Sequence, residues 1–178
     1  PPVHKSWDKL SANQQAVEAR RMAVYAAQVD RLDQGIGRVL SKIDRMGKRE
    51  DTLVLFLSDN GANAANVYQR EEGAAARGIP PGPAESFMAN GLPWGNLSNT
   101  PFRFFKQWVH EGGICTPLIA SWPSGIEKRG AVTRQSGHII DIMATFLDVA
   151  GIDYPESFKG RKIHPCLLYT SDAADDTP

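Results

Sequence analysis

The stretch LVLFLSDNG, Leu53 to Gly61, decides how the rest of the chain is read. Five consecutive apolar residues end abruptly in Ser58, Asp59, Asn60 and Gly61. A short unbroken apolar run is the pattern of a strand buried on both faces, as in a parallel sheet. Open α/β sheets place their chemistry at the carboxyl ends of such strands. Asp59 and Asn60 there set a carboxylate beside an amide oxygen, the hard-oxygen donors that Ca²⁺ or Mg²⁺ takes, and Gly61 permits a sharp turn. Asn-Gly is also the signature of a type I′ hairpin, which needs a strand on each side. The following residues, ANAANVYQREEGAAARG (62–78), carry little β-branched or alternating character, so the metal-loop reading leads.

Upstream, Met22, Tyr25, Val29, Leu32, Ile36, Val39, Ile43 and Met46 recur at alternate spacings of three and four. This predicts an amphipathic helix beginning near Ser11 or Asn13 and stopping at Gly47, weakened locally by Gly35 and Gly37. A strand at 52–58 follows directly, and helix then strand is half of a βαβ unit. Residues 61–100 are rich in Ala, Gly, Pro and Asn and are expected to be a long loop forming a wall or roof of the site. A second buried strand is expected from Pro117 to Trp122. The apolar positions Ile139, Ile140, Met143, Phe146, Leu147 and Ala150 predict a last helix, closed by Gly151 in a left-handed cap. There is no internal repeat.

The terminal stretch CLLYTSDAADDTP (166–178) reads as the frame translation of a sequencing-library transposon adapter and is set aside as non-native, which leaves 1–165 as the natural part. The net charge of 0 over 178 residues becomes +3 once Asp172, Asp175 and Asp176 are removed, too mild to argue for nucleic acid or an anionic membrane. Setting Cys166 aside leaves Cys115 without a partner for an internal disulfide. No apolar run approaches the roughly 18 residues of a membrane span, and the opening Pro1-Pro2-Val3-His4 is neither an initiator methionine nor a signal peptide. Both ends read as cuts in a longer protein.

Several segments together resemble the sulfatase family of the alkaline-phosphatase superfamily. They are VYAAQVDRLDQGIGRVL (24–40), LFLSDNG (55–61), SNTPFRFFKQWVHEGGICTPLIASWP (98–123) and GHIIDIMATFLDVAG (137–151). The pairing of LFLSDNG with a lysine five residues before Glu-Gly-Gly is the specific part. The resemblance implies an α/β fold with a mostly parallel sheet flanked by helices, of which this chain is the C-terminal portion. It implies one Ca²⁺, ahead of Mg²⁺, at the carboxyl edge of the sheet, with Asp59 and Asn60 among its ligands. It makes Lys106 the lysine that contacts the sulfate group. A divalent cation plus an ammonium is a sensible clamp for charge moving onto sulfate oxygens.

The resemblance also implies a formylglycine nucleophile made from the cysteine of C-x-P-x-R, near the start of the full protein. Cys115-Thr116-Pro117 imitates the first three positions, but Ile119 stands where Arg is needed, so Cys115 reads as a small packing residue at the start of a buried strand. The nucleophile is therefore expected upstream, and the isolated chain is expected to be inactive. The expected substrate is an aryl or carbohydrate sulfate monoester, and the expected location periplasmic or secreted. His110, just before Glu111-Gly112-Gly113, is a candidate substrate contact. Trp94 is another: it could stack on a substrate ring or pin its own loop. His138 and Asp141 read as structural, capping the last helix. A phosphate or phosphonate ester hydrolase of the same superfamily is the nearest rival, though such relatives more often place His beside Asp at this loop; a catalytically silent binding module is a third reading.

Overall fold

The computed structural model describes residues 5–64 and 68–163, so the adapter-like tail, His4 and His164 lie outside the described residues. In chain order the elements are α1 (Ala12–Arg45), β1 (Val54–Leu57), α2 (Tyr68–Ala76), α3 (Gly91–Ser98), α4 (Glu111–Ile114), β2 (Leu118–Ser121), α5 (Asp141–Val149), β3 (Ser157–Phe158) and β4 (Arg161–Lys162). The chain divides into two compact units, Pro1–Glu127 and Lys128–Pro178.

In the first unit, α1 starts where its sequence can satisfy its own end. Ser11 accepts from the Gln14 N–H at 3.3 Å while the Gln14 amide oxygen accepts from the Ser11 N–H at 3.0 Å, a reciprocal capping box. Gly35 and Gly37 lie inside α1 without interrupting it. The helix ends at Gly47, whose φ of 64° is left-handed, with Gly47 N–H bonding Asp44 O at 2.9 Å and Lys48 N–H bonding Ile43 O at 3.2 Å. This is the Schellman arrangement, and α2 closes in the same way through Gly78 and Ile79.

The strand pair differs from expectation in direction. β1 and β2 run antiparallel, with Val54 opposite Ser121 and Leu57 opposite Leu118. The mostly parallel sheet read from the sequence is, over the described residues, a two-stranded antiparallel pair. A parallel neighbour needs a crossover that brings the chain back in the same direction, whereas here it passes through α2, α3 and α4 and returns reversed. Nor is β1 buried on both faces: Phe56 is 46 % exposed, and Ile119 across from it 62 %. One strand neighbour covers the ladder on one side only. The pair is pinned at its outer end by Ser124, whose N–H and hydroxyl both donate to Glu50 O, at 3.1 and 2.6 Å.

The long loop expected over 61–100 is also corrected. It contains α2, α3 and a 3₁₀ turn at Ala84–Ser86. The Ala-rich run of α2 has high helix propensity, and Pro93 falls in the first turn of α3, where a missing N–H costs nothing. The segment between them is strapped to α1: Arg20 donates to Pro81 O at 3.1 Å and Arg21 to Ala89 O at 2.6 Å. Among the described residues, the buried apolar side chains, Ala64, Ala74, Phe104 and Phe105, all belong to the stretch between β1 and β2.

The second unit holds α5 and the β3–β4 hairpin. α5 closes as read from sequence, with Gly151 at φ 63° and the Ile152 N–H bonding Leu147 O at 2.9 Å.

Replacing the cap of α1, Ser11→Ala, is expected to lower stability by about 1 kcal/mol. The readout is a lower urea midpoint at unchanged slope, largely restored by Ser11→Asp.

Candidate functional site

Beyond β1 the chain is folded back on the segment before β2 by a set of short backbone contacts. Ser58 O accepts from the Thr116 hydroxyl at 2.8 Å, and Ser58 Oγ donates to Asn60 O at 2.9 Å. The buried Gly61 then donates its N–H to Gly113 O at 3.0 Å. A Cβ on Gly61 would overlap the carbonyl oxygen of Gly112, so the turn requires glycine for closeness rather than for a left-handed φ. Next, Lys106 N–H donates to Ala62 O at 3.0 Å. Asn99 closes the arrangement: its Oδ1 accepts from Ala62 N–H at 2.9 Å, and its Nδ2 donates to Gly95 O at 2.9 Å and Phe104 O at 3.2 Å.

The structure therefore brings the backbones bearing Asp59, Asn60 and Lys106 together. Asp59 is exposed, and its carboxylate has no hydrogen bond or ion pair among the described residues. Asn60 is half-buried, and Lys106 is exposed. Phe104 and Gln107, on either side of Lys106, adopt φ of 66° and 91°, conformations that side chains rarely take and that cost about 1–3 kcal/mol each. That strain is tolerated where surrounding bonds dictate the path of the chain. A hard cation suits Asp59 and Asn60, but no cluster of three or more His, Cys, Asp or Glu exists among the described residues, so these two supply only part of a coordination shell.

His110 occupies the cap position before α4, half-buried, with its ring edge-on to Phe104 at 4.6 Å and to Trp108 at 6.3 Å. Its Nδ1 is buried with no hydrogen-bond partner among the described residues. Trp94 lies on α3, not in a loop, and packs against Trp7 with centroids 6.3 Å apart. Of its two open roles, pinning the local fold is the one with a contact in view. Cys115 needs correction: it is exposed, at the end of α4, and β2 begins only at Leu118. Its thiol is pushed above the ordinary cysteine range, first by what burial it has, then by a hydrogen bond to Glu111 and that carboxylate's charge. In the second unit, Asp141 accepts from the His138 N–H at 2.7 Å, and His138 Nδ1 accepts from Ile140 N–H at 3.3 Å, both structural bonds at the start of α5.

Asn99 was not singled out from sequence. Its signal was faint, a small amide before Thr100-Pro101 inside a stretch already recognised for its lysine.

A sequence model of the sulfatase family matches residues 2–152. An uncharacterised sulfatase of Schizosaccharomyces pombe is 33 % identical over 177 residues, covering 89 % of this chain and 30 % of that protein. An arylsulfatase of Klebsiella aerogenes is 30 % identical over 179 residues, covering 93 % of this chain and 37 % of that protein. The human N-acetylgalactosamine-6-sulfatase is 31 % identical over 146 residues, 81 % of this chain and 23 % of the relative. The chain thus spans well under half the length of each.

Removing the amide clamp, Asn99→Ala, leaves the Ala62 N–H and two carbonyls without partners and is expected to destabilise the first unit by about 2 kcal/mol, with faster hydrogen exchange at Ala62 and Lys106. For Cys115, the raised thiol means little thiolate near neutral pH, so alkylation by iodoacetamide should be slow there and accelerate with pH through a midpoint above that of a free cysteine. Glu111→Gln removes the charge and should shift that midpoint downward; an unchanged midpoint would contradict the assigned cause.

Proposed function

The chain belongs to the sulfatase family, and from that premise we propose that it forms the C-terminal part of a catalytic domain hydrolysing aryl or carbohydrate sulfate monoesters. The observation that carries this reading is the Lys106 N–H to Ala62 O bond, which ties the lysine's backbone to the loop of Asp59 and Asn60. A lysine rooted beside a carboxylate and an amide oxygen suits a tetrahedral sulfate group flanked by a metal ion. Lys106 holds a sulfate oxygen by charge and stabilises the negative charge that grows as the ester bond breaks. Asp59 and Asn60 would hold Ca²⁺, supplying two of its roughly six to eight oxygen ligands. That ion, when bound, polarises the sulfate oxygens. A formylglycine nucleophile contributed from elsewhere in the protein completes the reading, since Cys115 lacks both the motif and an activated thiol.

We place β1 within a mostly parallel sheet in the whole domain, with β2 as an antiparallel strand of that sheet, an arrangement common in large α/β sheets. The exposed Phe56, Leu118 and Ile119 support this, because apolar sheet faces of this kind are stable when covered.

In the full-length protein carrying this segment, Lys106→Ala is expected to reduce kcat/KM for an aryl sulfate by the equivalent of about 2–4 kcal/mol, the scale of one lost charge-stabilising donor. Near-normal turnover by that variant would remove Lys106 from the chemistry. The 178-residue chain alone, supplied with Ca²⁺, is expected to show no turnover; genuine metal-dependent hydrolysis by it would mean that the nucleophile lies among these residues.

A further inference from the structure

Three residues before Lys106 the chain builds an open depression of about 540 Å³, lined by Pro101, Phe102, Arg103, Val109, His110 and Glu111. One of its lining residues, His110, belongs to an adjoining aromatic cluster. Phe104 is 6 % exposed, lies against Trp108 at 4.5 Å with 13° between planes, and meets the edge of His110 at 4.6 Å. The Arg103 guanidinium sits over the same Phe104 ring, 4.6 Å from its centroid. It makes no hydrogen bond or ion pair with the described residues. A guanidinium drawn to an aromatic ring keeps its N–H donors, which suit carboxylate or sulfate oxygens. His110 has its Nδ1 sealed in the packing, which leaves Nε2 as the ring nitrogen able to serve a ligand.

The remaining walls limit what fits. Phe102 and Val109 are 43 % and 85 % exposed and offer, with Pro101, an apolar surface for the carbon face of a ring. Glu111 is also among the lining residues, and its negative charge disfavours a multiply charged anion most. The depression is tied to the candidate site through its own backbone, since Gly112 N–H bonds Arg103 O at 2.9 Å.

We propose that this depression is a subsite for a singly charged anionic substituent, a carboxylate or a sulfate ester, carried on a sugar-sized ring, with Arg103 and His110 as its donors. Calling that ring part of the substrate rests on the function proposed above; anion binding itself rests on Arg103 and the depression.

The test titrates the ¹⁵N-labelled 178-residue chain with glucuronate, glucose and inorganic sulfate, following the Trp108 indole N–H and using that of Trp122 as a check on folding. Glucuronate is expected to give a saturable shift, inorganic sulfate a weaker one and glucose none. Arg103→Gln should weaken glucuronate binding about tenfold, the loss of one charge-assisted pair, with the Trp122 signal unmoved. Arg103→Lys, which keeps the charge without the planar fork, should fall between the two, and Lys106→Ala should bind as the parent chain does. No saturable shift with glucuronate, equal binding of glucose, or binding that survives Arg103→Gln overturns the subsite. Equal binding of inorganic sulfate overturns the ring and single-charge specificity. Binding lost in Lys106→Ala but kept in Arg103→Gln puts the anion at Lys106, overturning the subsite while leaving the proposed function standing.

Discussion

Everything around the candidate site depends on a backbone approach that tolerates no side chain. Gly61 reaches Gly113 through an N–H to carbonyl bond, and a Cβ on Gly61 would strike the Gly112 carbonyl. A Cβ on Gly112 would in turn strike the carbonyls of Arg103 and Phe104, and one on Gly113 that of Trp108. Forcing even one methyl into such a contact costs about 1–3 kcal/mol or moves the chain. Because Lys106 lies inside the loop held by these contacts, its position relative to Asp59 is set by glycine packing rather than by any attraction between the two side chains. Asn99 then fixes the remaining freedom by satisfying three backbone groups from one amide.

The order of this loop cluster contrasts with the faces around it. Val29, Leu32, Val39 and Met46 leave much of the apolar stripe of α1 open, and Met143 and Phe146 do the same on α5. Apolar surface of this extent is characteristic of faces that bury against something else. Within the first unit, α1 has no buried residue, and the buried apolar side chains among the described residues lie in the stretch between β1 and β2.

What could be read in advance divides along physical lines. Helix ends were legible because they are local: Ser11 and Gln14 meet within one turn, and Gly47 and Gly151 adopt the left-handed conformation that their positions after an apolar stripe imply. The strands at 54–57 and 118–121 were legible as apolar runs. Their antiparallel direction was not, since a run of apolar residues reports burial and carries nothing about the neighbour's polarity. α2 and α3 were hidden by a composition of Ala, Gly and Pro that serves loops equally well. Asp59, Asn60 and Lys106 became candidates through motif resemblance, whereas Asn99 did not, because its part in the loop consists of three backbone partners that the sequence pattern does not show.

The contacts that join β1 and β2 to the site are nested one within another. Val54 pairs with Ser121, then Ser58 with Thr116, Gly61 with Gly113, and Ala62 with Lys106. Loop-closure entropy depends on the length of chain still free, so once the outer pair forms, each inner contact closes a shorter segment at smaller entropic cost. Assembly in this order resembles a zipper running inward from the strands, with Lys106 and then Asn99, both bonded to Ala62, at its inner end. Such nesting lets the inner contacts open while the outer strands stay paired, a local opening distinct from global unfolding.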